Sequence, residues 1–324
     1  MSILSKKYFR DEKAAFEHLE SIVWAGGVVC PHCGVIDNAG KLQGVRSKPS
    51  KKNPEGVERH GLWKCYACRK QFTAKVGTVF EDAHIPLHKM LQAVFLLASS
   101  KKGISAHQLH RALEIDYKSA WFLAHRIREA MRDGRLAPPM MGGPGEIVEV
   151  DETWQGKVEG AGKKDKGTAY MNVVLSLVER GGESRTFHVA GTAQGDLIPI
   201  LRANIHRESV VMTDDATWYQ NVGRFFAGHD TVNHSADEYV RRDGEKLITT
   251  NTVEGFFSIF KRGMRGVYQH CSEKHLHRYV AEYSFRYSHR VALGVDDQAR
   301  SDAALKGIRG KRLTYRNPNV TAAE

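Results

Sequence analysis

Apolar residues recur along this chain with two different periods, and the change from one to the other divides it. From Pro86, PLHKMLQAVFLLAS sets Leu87, Leu91 and Val94 on one side with Met90, Leu97 and Ala98 alongside, the spacing of a helix packed on a core. In GISAHQLHRALEIDYKSAWFLAHRIREAMRD, Ser105 can cap a short helix that runs to Leu113. Ile115 and Asp116 then make a turn, and a longer helix is expected from about Tyr117 to Arg132. Short helix, tight turn and longer helix are the plan of a helix-turn-helix, here within residues 84–133. GRLAPPMMGGPG, residues 134–145, is rich in Pro and Gly and reads as a linker.

Beyond the linker the period falls toward two, and residues 146–290 read as one domain. EIVEVDETW, TAYMNVVLSLVER (168–180) and SRTFHVAG (184–191) are three strands in succession. GDLIPILRANI (195–205) has helical spacing, SVVMTDDA (209–216) is a fourth strand, TWYQNVGRFF (217–226) is expected to be helical, and DTVNHS (230–235) is a short fifth strand. A polar loop is expected up to Thr250. NTVEGFFSIFKRGMRG then opens one helix, and KHLHRYVAEYSFRYSHR (274–290) makes another. Three antiparallel strands followed by αβ units make an α/β fold in the order of an RNase H-like domain.

The N-terminal segment differs again. Residues 1–21 read as a short polar helix, and residues 22–80 hold four of the five cysteines, as CPHC (Cys30, Cys33) and CYAC (Cys65, Cys68). Paired CxxC units can give four thiolates to one tetrahedral Zn²⁺, and a segment with little core draws its folding energy from that bond. The intervening stretch is long but polar, SKPSKKNPEGVERHG, as a surface loop would be. His32 and His60 are weaker ligand candidates, and Cys271, with no partner at ligand spacing, reads as an ordinary thiol. The formal charge of +11 points to a polyanionic partner, most simply nucleic acid, although a solvated basic surface has the same composition. No apolar run approaches the ~18 residues that span a bilayer. MSILSKKYFRDEK has no secretory signature, so a cytoplasmic protein without a membrane partner is expected.

In so basic a chain the acids of IVEVDETW ask for a reason. Alternation puts Ile147, Glu149 and Asp151 on one face of the strand and Val148, Val150 and Glu152 on the other. Asp214 and Asp215 close the fourth strand; Glu254 lies in the first turn of a helix, three residues after a plausible cap at Asn251. Lys261 follows on nearly the same helical face as Glu254. Each feature is commonplace alone, since acids favour strand ends and first helical turns. Together, with the first and fourth strands adjacent, Asp151, Asp214 and Glu254 converge. Two Mg²⁺ or Mn²⁺ ions would relieve their repulsion and form a two-metal phosphoryl-transfer site, with Lys261 holding a phosphate or base beside it. Glu149, two residues back, is read as a supporting or surface group.

At this point the residues resemble a family. CPHCG, WKCYACRKQFTAKVGTVFE, IPLHKML, VEVDETWQGK, VMTDDATWY, VNHSADEYV, NTVEGFFSIFKRGMRGVYQH, KHLHRYVAEYSFRY and GKRLTY look, in order, like the blocks of bacterial insertion-sequence transposases of the DDE class, the ISXO-type group with an N-terminal zinc ribbon. The resemblance implies an RNase H-like core, divalent metal, strand cleavage and transfer at terminal inverted repeats, double-stranded DNA as partner, a homo-oligomer on that DNA, and a nucleoid-associated location. By position it makes Asp151 and Asp214 the first two acids and Glu254 the third, with Lys261 seven residues on. Asp215 competes with Asp214. Asn251 competes with Glu254, because many members carry Asn as the third group; a carboxylate suits Mg²⁺ better than an amide. Trp154 stands where the family usually has Tyr, and FRYSHR replaces a more usual FRYN.

For DNA contact the helix from Tyr117 would enter a major groove with Lys118 near its start and Arg126 further along. The loop GKVEGAGKKDKG brings Lys163, Lys164 and Lys166 close after Asp151, and Lys261 and Arg262 lie beyond Glu254. Residues 291–324 read as a loosely structured basic tail carrying Lys306, Arg309, Lys311, Arg312 and Arg316. An RNase H-like nuclease that cuts without joining, and a non-enzymatic zinc-ribbon DNA-binding protein descended from a transposase, are the competing readings.

Overall fold

The computed structural model describes residues 3–51, 53–135, 138–162 and 164–314; Lys163 and the chain from Tyr315, with Arg316, lie outside the described residues. The chain forms two compact units, one made of Met1–Ser99, Ile104–Met131 and Asp297–Glu324, the other of Ser100–Gly103 and Arg132–Asp296.

In the first unit α1 (Glu12–Val23) starts at Asp11, whose carboxylate accepts the Ala14 N–H at 2.8 Å, and buries Ala15, Phe16, Leu19 and Val23. β1 (Ala39–Lys41), β2 (Trp63–Cys65) and β3 (Gln71–Phe72) form a small antiparallel sheet. α2 (Leu87–Ser99) buries eight of its side chains, and the Glu12 carboxylate accepts its first N–H groups, from Leu87 at 2.7 Å and His88 at 3.1 Å. α3 (Ala106–Leu113) opens on a reciprocal cap between Ser105 and Gln108 and ends at Glu114 in the left-handed region. α4 (Tyr117–Met131) follows, with Asp116 accepting from Ser119 N.

Two expectations are corrected in this unit. Every residue of α4 from Leu123 to Met131 is buried, so α4 is a core helix. Arg126 is only 8% exposed and lies over the Phe122 ring at 4.7 Å, which removes it from a DNA-facing role, while Lys118 at the helix start is exposed. The C-terminal segment is not a loose tail: a helix Asp297–Lys306 buries Arg300, Ser301, Ala304 and Leu305 and packs on α2. Ile308 behind it is fully buried and accepts the Val79 N–H.

The second unit is built on one five-stranded sheet. β4 (Ile147–Lys157), β5 (Met171–Glu179) and β6 (Ser184–Val189) are antiparallel neighbours. After α5 (Gln194–Asn204), β7 (Val210–Asp214) joins β4 in parallel and β8 (Gly228–Val232) joins β7, giving the order β6-β5-β4-β7-β8 of an RNase H-like sheet. Val148, Val150, Leu175, Leu177 and Val211 meet Leu197, Leu201, Tyr219 and Val222 on one face. On the other, Val174 and Val178 meet α6 (Asn251–Gly263) and α7 (Glu273–Ser288) through Phe256, Phe257, Phe260, Val280 and Tyr283. α6 runs into one wider turn, Met264–Tyr268, closed by Gln269 N to Met264 O.

Residues 217–226 form two 3₁₀ turns, Thr217–Tyr219 and Val222–Arg224, instead of a helix. Tyr219 and Val222, three apart, both sink into the core there. The expected loop before Thr250 contains a hairpin, β9 (Val240–Asp243) with β10 (Lys246–Thr249), turned at Gly244 with φ +57°. The linker is partly ordered into the fold, since Met141 is buried and bonds the backbone of Asn204 and His206.

Candidate active site and metal centre

In the ribbon each CxxC is followed by a residue of left-handed backbone, Gly34 at φ +76° and Arg69 at φ +64°, which turns the chain directly after the second thiol of each pair. The four sulfurs lie within 4.8 Å of one another. Cys30 Sγ is 3.7 Å from Cys68 Sγ, and Cys33 Sγ is 3.7 Å from Cys65 Sγ. A disulfide needs about 2.05 Å. Four sulfurs at about 2.3 Å from a tetrahedral Zn²⁺ sit roughly 3.8 Å apart, so the donor set fits zinc. His32 bonds Gln71 O and His60 lies beside Glu58, so neither ring joins the cluster.

The carboxylates are set by the sheet. β4 and β7 pair as Ile147↔Val210, Val148↔Val211 and Glu149↔Met212. The same register continued for two residues brings Asp151 level with Asp214 on the same face. Asp215 points the other way by alternation and is exposed. Glu254 comes from the first turn of α6, on that face too.

Asp151 accepts the N–H of Glu152 at 2.8 Å and Asp214 that of Ala216 at 3.2 Å, and among the described residues neither has an ion-pair partner. Burial, and then the negative charges of Glu152, Asp214 and Glu254, hold the Asp151 carboxyl well above the usual carboxylate range. Asp214 is raised as well, by burial and by Asp215. The trio is more open than the thiolate cluster. The Oε1 of Glu254 accepts the Thr250 hydroxyl at 2.8 Å and lies 3.3 Å from His234 Nε2. Half-buried, mutually repelling carboxylates with only His234 at their edge fit divalent ions, which would supply the missing charge.

The other two acids of the strand have different work. Glu149, expected as a supporting or surface group, is fully buried and accepts four hydrogen bonds: Arg180 Nε at 2.7 Å, Thr252 N at 2.7 Å, Thr252 Oγ1 at 2.9 Å and Val253 N at 3.0 Å. It is the cap of α6. The expected cap, Asn251, is already in the helix and exposed. Glu152, on the opposite face, accepts from Tyr219 Oη at 2.5 Å and Trp218 Nε1 at 3.3 Å, which ties the turn after Asp214 back to β4.

Lys261 lies near the Phe257 ring at 5.9 Å, and Arg262 beside it is exposed. The β4–β5 loop is folded by Lys157, whose ammonium donates to Gly162 O at 2.6 Å and Asp165 O at 2.9 Å; Lys164 and Lys166 remain exposed on it.

Comparison with known families gives two matches. The ISXO2-like transposase domain matches residues 142–288, the span that holds both strand acids and α6. The transposase zinc-ribbon domain matches residues 10–71, with all four cysteines. The chain thus carries an ISXO2-like transposase domain behind a transposase zinc ribbon. Curated proteins, compared in the same way, contain no match. In this transposase no helix among the described residues is long and apolar enough to cross a membrane.

Proposed function

We propose that this transposase cleaves DNA at the terminal inverted repeats of an insertion sequence and joins the freed ends to target DNA, by two-metal phosphoryl transfer at Asp151, Asp214 and Glu254. The observation that carries the reading is the shared register of β4 and β7. It levels two uncompensated aspartates on the face from which α6 presents Glu254.

Two Mg²⁺ or Mn²⁺ ions held by these carboxylates would activate the attacking hydroxyl and stabilise the leaving 3′ oxygen. The protein's own residues do the rest. Lys261 offsets the charge of the phosphate beside the site, and Arg262, Lys164 and Lys166 are exposed cations that hold flanking phosphates. Lys118 at the start of α4 is the remaining DNA contact of the first unit.

The test uses labelled DNA carrying the element's own ends, with Mg²⁺ or Mn²⁺, and compares wild type with Asp151→Asn and Glu254→Gln. The proposal expects wild type to cut and join while both variants bind without cutting. Cutting without joining makes the chain a nuclease. Binding without cutting under either metal makes it a DNA-binding protein only.

A further inference from the structure

Helix α6 is capped in an unusual way. Thr250 occupies the cap position, where a threonine hydroxyl ordinarily accepts an N–H from the first helical turn. Its side chain makes no such bond. The Thr250 hydroxyl donates forward instead, to Glu254 Oε1 at 2.8 Å. The N–H groups of Thr252 and Val253 go to Glu149, which reaches them from β4, 103 and 104 residues earlier in the chain. A carboxylate there is also favoured by the positive end of the helix dipole.

Arg180 completes the arrangement. It donates to Glu149 Oε1, and also to Leu247 O at 2.7 Å and Thr249 O at 3.0 Å, the last strand before α6. The entry to the helix is thus held from both sides by one ion pair, its carboxylate buried and its guanidinium partly exposed. Glu254 follows Val253 directly, and Glu149 lies two residues before Asp151 on the same strand face.

We infer that Glu149 caps α6 in place of Thr250, that this leaves the Thr250 hydroxyl free to orient Glu254, and that the two are positioning residues which set the third carboxylate against Asp151. The inference rests on Glu254 being a metal ligand. Removing an outer partner of a ligand weakens metal affinity about 10–100-fold.

The experiment is Mn²⁺ binding to the full zinc-loaded chain, followed by calorimetry and by Mn²⁺ paramagnetic resonance, with Asp151→Asn marking the site. Glu149→Gln keeps the size of the side chain. Four donors face its two oxygens, so either orientation of the amide sets an N–H against a donor. Glu149→Gln is expected to weaken Mn²⁺ by about 10–100-fold. Thr250→Val, which leaves the cap intact, is expected to weaken it by about tenfold with little change in Tm. Leu201→Ala, in the core of the opposite sheet face, should lower Tm and keep the affinity within about twofold, since it touches neither residue.

Wild-type affinity in Glu149→Gln with a lowered Tm reduces the pair to a structural brace and overturns the inference. Should Glu149→Gln fail to fold, unchanged affinity in Thr250→Val overturns it equally. If wild type binds no Mn²⁺ that Asp151→Asn removes, the active-site reading itself falls and takes this inference with it.

Discussion

Removing zinc should unfold the ribbon and leave the rest of the chain folded. The segment around the four cysteines has little else to hold it. Its sheet consists of three residue pairs between β1 and β2 and two between β2 and β3. Leu62 and Phe72 are its large fully buried apolar side chains, each contributing about 1.5–3 kcal/mol. A structural zinc contributes about 10–16 kcal/mol in small domains, several times as much. Without it, four thiols 3.7 Å apart in pairs and a long polar arm must be ordered against the conformational entropy of the chain.

The reporters are built in. Trp24 and Trp63 pack edge to face at 5.5 Å, Trp24 meets Phe72 at 5.8 Å, and Trp63 Nε1 donates to Glu20 at 3.0 Å. Chelation, or Cys33→Ser, should red-shift tryptophan emission. It should also collapse hydrogen-exchange protection over residues 28–76 while β4, β5 and α6 keep theirs. Metal analysis should give one zinc per wild-type chain, and Co²⁺ exchanged into the site should show thiolate charge-transfer absorption. A chain freed of zinc that keeps its emission and its protection over residues 28–76 would refute this account of what holds the ribbon.

The other expectations concern the second unit. Glu254→Gln should slow cleavage of the element's ends about a thousandfold, the several kcal/mol supplied by a metal's charge; Asn251→Ala, at an exposed position, should stay near wild type, and the reverse order of the two rates would make Asn251 the third ligand. Asp151, Glu152 and Asp214 all have carboxyls raised by burial, so folding takes up protons: the stability they contribute is fully present below the ordinary carboxylate range and is lost as pH rises through the raised values. Urea unfolding of the zinc-loaded, Mg²⁺-free chain should therefore show Asp151→Asn gaining on wild type as pH rises from the ordinary carboxylate range, about 4, toward neutrality, and a constant difference over that range would contradict the sign. Glu282→Gln strands the buried Arg286, which it pairs within one helical turn, and should cost about 3–5 kcal/mol in thermal unfolding; a loss below about 1 kcal/mol would mean that water reaches the pair.

Alternation along the strands made the sheet legible. Val148, Val150, Leu175 and Leu177 lie on one face as the pattern requires, and a parallel neighbour for β4 followed from the β-α-β order. The hairpin Val240–Thr249 was not legible, because VRRD has no apolar side to alternate and all four of its residues are exposed. The helix Asp297–Lys306 left no signal for the opposite reason: Arg300 and Ser301 are among the residues it buries, so the buried stripe is half polar. Arg126 misled for the same cause, as its charged end lies over an aromatic ring inside the unit.

The acids of β4 mark where local pattern stops. Period two assigns Glu149 and Asp151 to one face and Glu152 to the other, and the structure agrees with that much. It says nothing of what covers each face. Glu149 meets a helix N-terminus from residue 252, Glu152 meets a tyrosine from residue 219, and Asp151 faces other carboxylates with no distant donor among the described residues. Three acidic residues within four positions become a cap, a tether and an uncompensated charge because different segments arrive at different places along one strand. The two that found donors are satisfied. Asp151, with only the N–H of its neighbour Glu152, is where a cation has a reason to bind, and that contrast separates it from the other two better than its position in the strand does.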